Sequence, residues 1–257
     1  MNSQALHPES GSTPKRNWKK IGLILWLILF ALMLAVHWYP IRFGTIRFAL
    51  VAGVLLLWLG ALWLSWNRKT VRGVLLACSL GVFIFALAPS RPTNPQALRQ
   101  EYVQALQKYE NTPYIWGGES KRGIDCSGLM RCALVDANIK KALTTFNPSS
   151  LRTGFSIWWH DSSARAMKEE YQDKTRFLFT SPSINQINYS AIEPGDIAVT
   201  SNGVHALAYI GDQTWIEADP SAVQGDTVIK VKTPTRNAWF TRPVHVMRWR
   251  QFEENSK

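Results

Sequence analysis

Three long apolar runs in the first ninety residues limit what this chain can fold into. They are Ile21–Tyr39, Phe48–Trp66 and Val74–Ala88, and only short polar segments separate them. The first two hold 19 residues each, close to the roughly twenty needed for a helix to cross a bilayer. The third is shorter and gains length only if its helix reaches Gly73 and Pro89. Trp18, Trp38, Tyr39 and Trp66 mark the ends of the runs, where amphipathic rings settle at a membrane–water interface. The first run is too long for a signal-peptide core, and Leu34-Ala-Val-His-Trp-Tyr lacks a small-x-small cleavage pattern. An uncleaved anchor is therefore expected.

The charge of +11 supports the same reading. Residues 1–94 carry ten Lys/Arg against one Asp/Glu, whereas residues 95–257 carry nineteen against seventeen. The basic excess thus flanks the apolar runs. No basic stripe with interleaved aromatics occurs in the C-terminal half, so nucleic acid is excluded as a partner. Lys15, Arg16, Lys19, Lys20, Arg68, Lys69 and Arg72 fall on one side of three spans, and Arg42, Arg47, Arg91 and Arg99 on the other. Seven against four puts the N-terminus in the cytoplasm and the C-terminal domain outside. The expected organisation is a polar tail over 1–18, a membrane domain over 19–92 and a folded domain over 93–257.

Asn94 followed by Pro95 predicts a capped helix, with Leu98, Tyr102, Val103, Leu106 and Tyr109 as its apolar stripe. Residues 138–192 read as irregular and polar, apart from an amphipathic stretch near Ser163–Tyr171. Short strands are expected at Asp196–Thr200, Val204–Ile210, Thr214–Ala218, Thr227–Lys232 and Val244–Arg248. Helices first and strands afterwards predict an α+β domain, with an antiparallel sheet packed on a helix.

That helix opens at Cys126. The glycine-rich stretch Tyr114-Ile-Trp-Gly-Gly leads to Gly123-Ile-Asp-Cys-Ser-Gly, and Leu129, Met130, Cys132, Ala133 and Leu134 follow in helical spacing. A thiol on a first turn meets free backbone N–H groups and the positive end of the helix dipole, which favour a thiolate and offer donors to an oxyanion. Cys132 lies about 9 Å further along the helix, too far for a disulfide, and no metal-ligand spacing occurs. Cys78 and Cys132 read as small buried hydrophobes. A thiol nucleophile needs a base. His205 opens the strand-like His205-Ala-Leu-Ala-Tyr-Ile after a Ser201-Asn-Gly turn. The other histidines lie in the tail (His7), at a membrane boundary (His37), in the insert (His160) and in a terminal strand (His245).

These blocks, together with Pro194-Gly-Asp, resemble the NlpC/p60 cysteine peptidases, which cut the peptide stems of bacterial cell wall. The resemblance covers roughly residues 95–250. It implies a papain-like fold, no metal or organic cofactor, and a domain outside the bacterial cytoplasmic membrane facing peptidoglycan stem peptides. Cys126 would be the nucleophile and His205 the base. Twelve residues beyond the histidine, where the family usually has a second histidine, this chain has Glu217. A carboxylate there would orient the imidazole as the aspartate of a serine triad does; Asp219, on the same strand face, is the competitor. By the same resemblance Tyr114, Asp125 and Ser127 line the substrate and oxyanion pocket, although Asp125 also suits a helix cap. Trp158, Trp159 and His160 suit either a lid or a small core within the insert. The reading that follows is a membrane-anchored endopeptidase of peptidoglycan. Its rivals are an inactive peptidoglycan-binding module and a membrane-associated Cys-His acyltransferase.

Overall fold

A computed structural model describes residues 17–221 and 225–253. Residues 1–16, with Lys15, Arg16 and almost all of the expected polar tail, lie outside the described residues. Helices α1 (Trp18–Trp38), α2 (Gly44–Leu64) and α3 (Lys69–Leu87) are each long and apolar enough to cross a bilayer. α3 begins before the apolar run, at Lys69, and so reaches 19 residues. The stems of Lys69 and Arg72 suit such a boundary, since they can lie along apolar surface while their charged ends reach water. α1 and α2 seat large side chains on glycines: Trp63 on Gly22, Trp26 on Gly60 and Met33 on Gly53. Close backbone approach of this kind drives helix association where burial from water cannot. Cys78 is exposed on α3 rather than buried, as on an apolar helix that the rest of the chain leaves uncovered.

Helix α4 (Pro95–Gln107) starts as the sequence predicts, with the Asn94 side chain accepting from the Ala97 N–H. A two-stranded hairpin, β1 (Glu119–Ser120) with β2 (Gly123–Ile124), then feeds α5, Cys126–Thr145. Residues 138–192 are more ordered than expected. α5 runs on to Thr145 because nothing before Phe146 breaks its helical pattern. Asn147 caps α6 (Pro148–Trp159), whose first position is a proline, and Ser163 caps α7, Ala164–Lys168. Thr175–Ser181 forms β3, an edge strand. Three of its residues are exposed, which hid the alternation that marks a half-buried strand.

The remaining strands are β4 (Ile197–Thr200), β5 (Ala206–Gly211), β6 (Thr214–Ala218), β7 (Val228–Lys232) and β8 (Val244–Trp249). They form one antiparallel sheet in the order β3-β8-β4-β5-β6-β7. Alternation sorts the side chains of its central strands. Ile197, Val199, Ala206, Ala208, Ile216 and Ala218 meet α4 and α5 in the main core. Ala198, Leu207, Tyr209 and Trp215 bury the opposite face with Ile184, Ile187 and Phe240. The Pro194-Gly-Asp turn serves this architecture: Asp196 is fully buried, takes two hydrogen bonds from Arg248 at 2.8 and 2.7 Å, and pairs with Arg99 of α4.

The three apolar helices are fastened to this domain at two places. Arg152 of α6 donates to the carbonyls of Ala86 and Ala88 at the end of α3, and Asn147 and Ser149 hold the linker through the Arg91 carbonyl. On the other side, the turn between α1 and α2 joins the β1–β2 region. Arg42 N–H donates to Gly117 O at 3.1 Å, Glu119 N–H to Pro40 O at 3.0 Å, and Ile41 bridges Gly118.

Candidate active site

Cys126 is the first residue of α5 and is nearly buried. Asp125 is the cap. Its Oδ1 accepts from the Gly128 N–H at 2.5 Å and the Ser127 hydroxyl at 2.9 Å, and its Oδ2 from the Gly117 N–H at 2.8 Å. The Leu129 N–H goes to the Asp125 carbonyl. That leaves the N–H groups of Cys126 and Ser127 directed out of the first turn. Only glycine fits two positions of this turn. Gly117 has φ +72°, and a Cβ on Gly128 would lie 2.4 Å from the Gly118 carbonyl oxygen.

His205, in the turn just before β5, is buried beside the thiol. Its Nε2 lies 2.6 Å from Glu217 Oε2 on β6, so Nδ1 is the nitrogen left for Cys126. Burial pulls the imidazole toward neutrality, but the charge and hydrogen bond of Cys126, then those of Glu217, outweigh it and raise it to about 9. The ring therefore stays protonated across neutral pH. Glu217 is itself fully buried. Burial pushes its carboxyl upward, opposed chiefly by the hydrogen bond to His205.

Asp219 does not touch His205. It sits one step behind, accepting from Asn237 Nδ2 at 3.3 Å and Trp239 Nε1 at 3.3 Å. Asn237 also donates to Glu217 Oε1 at 3.0 Å, and Trp239 stacks on the His205 ring with centroids 4.2 Å apart. Sequence reasoning missed both residues. They lie in the loop between β7 and β8, and no spacing in the chain links them to the histidine. His160 bonds only the Ser156 carbonyl of its own helix, and His245 sits beside Phe177 in the outer strands.

Tyr114 is half-buried near the thiol; burial, then the charges of Cys126 and Asp125, push its hydroxyl upward, so it remains a proton donor. Asp125 and Ser127 line a cleft of about 450 Å³ shared with Trp116, Tyr171 and residues of the α1–α2 turn. Trp158 and Trp159 pack on one another within residues 138–192. They cluster with Phe155 on α6, which packs chiefly on α5 and also touches α3. Among the described residues no cluster of three or more His, Cys, Asp or Glu side chains suits a metal ion.

Beneath the cleft runs a second polar cluster. Arg47 of α2 and Arg131 of α5 both pair with Glu119, and Arg131 also pairs with Asp161. Arg47, Arg131 and Glu119 have side chains only 1%, 3% and 4% exposed. A charge on the apolar face Leu129–Leu134 was the signal that could have found this cluster, since a buried arginine demands a partner.

A profile of the NlpC/P60 family matches residues 111–248, more than half of the chain. "Dipeptidyl-peptidase 6" of Lysinibacillus sphaericus is 41% identical over 61 residues, which are 24% of this chain and 21% of that protein. The chain thus spans about a fifth of that curated relative. Among solved structures, an NlpC/P60 family protein from Bacillus cereus aligns with TM-score 0.39 and 14% identity, covering 59% of this chain and 40% of the other. NlpC1 from Trichomonas vaginalis gives 0.38 and 19%, covering 59% and 43%. With scores this low, the assignment rests on the profile alone.

Proposed function

The chain belongs to the NlpC/P60 family, and on that premise we propose that it is a membrane-anchored cysteine endopeptidase cutting amide bonds in the peptide stems of peptidoglycan, foremost the γ-D-glutamyl–diamino acid bond. One observation carries the chemistry: the buried His205 ring is held between the Cys126 thiol and the Glu217 carboxylate. With the proton already on Nδ1 of the His205 imidazolium, the Cys126 thiolate attacks the amide carbonyl. The oxyanion is met by the N–H groups of Cys126 and Ser127 at the helix terminus and by the Tyr114 hydroxyl. The imidazolium returns its proton to the departing amine, which leaves a thioester on Cys126. Water then gives a proton to His205, attacks the thioester and releases the acid. Glu217 fixes the tautomer and balances the imidazolium charge.

The test is incubation of the detergent-solubilised full chain with purified peptidoglycan and identification of the fragments by mass spectrometry. New γ-D-glutamyl ends that vanish with Cys126→Ala support the reading; unchanged peptidoglycan from the wild-type protein rejects it.

The catalytic domain lies, in this reading, outside the cytoplasm. The α1–α2 turn and the end of α3 both touch the domain, as three crossings would require. The seven-to-four bias of basic residues sets the side. Fusions after residue 92 should give active alkaline phosphatase and a dark green fluorescent protein; bright cytoplasmic fluorescence would reverse the orientation.

A further inference from the structure

The cleft lined by Asp125 and Ser127, the chain neighbours of Cys126, has one wall that is not part of the family-matched region. Ile41, Arg42 and Phe43 belong to the turn between α1 and α2, yet they line the same cavity as Asp125 and Ser127. The turn is joined to the cleft by backbone pairing, through Arg42 N–H to Gly117 O and Glu119 N–H to Pro40 O. Gly117 in turn donates to the cap of the nucleophile's helix. The Arg42 side chain is spent on α1, donating to the carbonyls of Val36 and His37 at 2.7 Å each, and this stiffens the turn. Arg47 and Glu119 lock its far end.

Such a wall fixes the height of the cleft. Residues 39–43 connect two helices of 21 residues each. If both cross, the turn lies in the interfacial layer and cannot rise from it. The cleft is then open at bilayer level, and its rim is aromatic: Trp116 is 80% and Phe43 51% exposed. Aromatic rings prefer that layer. A cross-linked wall strand would have to enter between the domain and the headgroups. A peptide carried on a membrane lipid arrives there by lateral diffusion, already concentrated in two dimensions.

We propose that the α1–α2 turn is the membrane-side wall of the substrate cleft, and that the preferred substrate is a stem peptide still joined to a lipid carrier in the same bilayer. The proposal rests on the peptidase reading above and narrows its substrate. Full-length protein in liposomes is given three substrates with identical peptides: a disaccharide-peptide on a polyprenyl pyrophosphate, the same disaccharide-peptide freed from the lipid, and insoluble cross-linked peptidoglycan. The lipid-linked form should be cut with kcat/KM at least about tenfold above the freed form, from confinement to one surface. Phe43→Ser, on an exposed side chain, should lower kcat/KM on the lipid-linked form more than on the freed form, so that the ratio of the two falls severalfold. Equal rates on lipid-linked and freed peptide, or faster cleavage of the cross-linked wall, overturn the proposal while leaving the peptidase reading intact. A Phe43→Ser protein that keeps the full preference removes the turn from the cleft. No cleavage of any of the three defeats the peptidase reading itself, and the proposal with it.

Discussion

Two polar clusters, each with a buried centre, solve the same physical problem for different ends. In one, His205, Glu217, Asn237 and Asp219 form a chain of hydrogen bonds under Trp239. In the other, Arg47, Glu119, Arg131 and Asp161 form a chain of alternating charges. The first holds a titratable ring whose proton can move at accessible pH. The second contains arginines, which never titrate in working conditions, so it can only hold geometry. Burial makes a charge expensive unless it is paired; whether the pair becomes chemistry or scaffold depends on whether a proton can leave it.

The contrast can be broken most decisively at Cys126, the proposed nucleophile beside the first cluster. Cys126→Ala should cut turnover on the order of 10⁵–10⁶, the scale seen when the nucleophile of a related triad is removed, with thermal unfolding unchanged. In a Cys78→Ser background, iodoacetamide should label Cys126 far faster than Cys132, whose thiol burial pushes upward. Equal labelling rates would remove Cys126 from the nucleophile's role.

Next in size is the scaffold cluster. Glu119→Ala leaves two buried arginines without their shared partner, and should cost about 3–5 kcal/mol of stability, read as a fall in thermal midpoint. Glu217→Ala should cost less stability and more activity, on the order of 10–10³ in kcat. If Glu119→Ala leaves the midpoint where it was, the cluster is not holding the two parts of the chain together.

A subtler test is the pH profile. His205 is raised to about 9, so the imidazolium persists through neutral pH and is lost as pH climbs through that value. Activity should fall along an alkaline limb near pH 9. Glu217→Gln removes a contribution that raises the ring, so the limb should move toward lower pH, with a milder loss of rate than alanine causes. An unmoved limb would separate Glu217 from the histidine's titration. The smallest effect is expected at Asp219→Asn, about severalfold, because it reaches the ring only through Asn237 and Trp239. Should Asp219→Asn cripple the protein while Glu217→Ala is nearly silent, Asp219 is the orienting acid.

How much of this was legible in the sequence follows from the range of each interaction. Local signals were readable: the Asn94 cap, the start of α5 at Cys126, the five strands after Gly195 and the long apolar helices all follow from neighbours in sequence. The Glu217 side chain could be nominated by spacing because β5 and β6 form a hairpin, which fixes what faces what. Trp239 reaches the same ring, and Asn237 the Glu217 carboxylate, from a loop about twenty residues beyond Glu217; only the fold brings them there. The insert misled for a different reason. Its polar surface read as irregular structure, but helices lying on other helices need only one apolar stripe, and β3 at the sheet edge needs little more.

The pinned linker after α3 has its own consequence. Seven residues, 88–94, separate α3 from α4, a stretch that fully extended would span no more than about 25 Å. Here it has no slack, since Arg91 and Ala88 are both held by the domain that the linker carries. A hydrolase on a long tether sweeps a hemisphere whose radius its tether sets. With the three apolar helices in a bilayer, the proposed peptidase would have a radius near zero, and would act only on what comes within reach of the membrane surface.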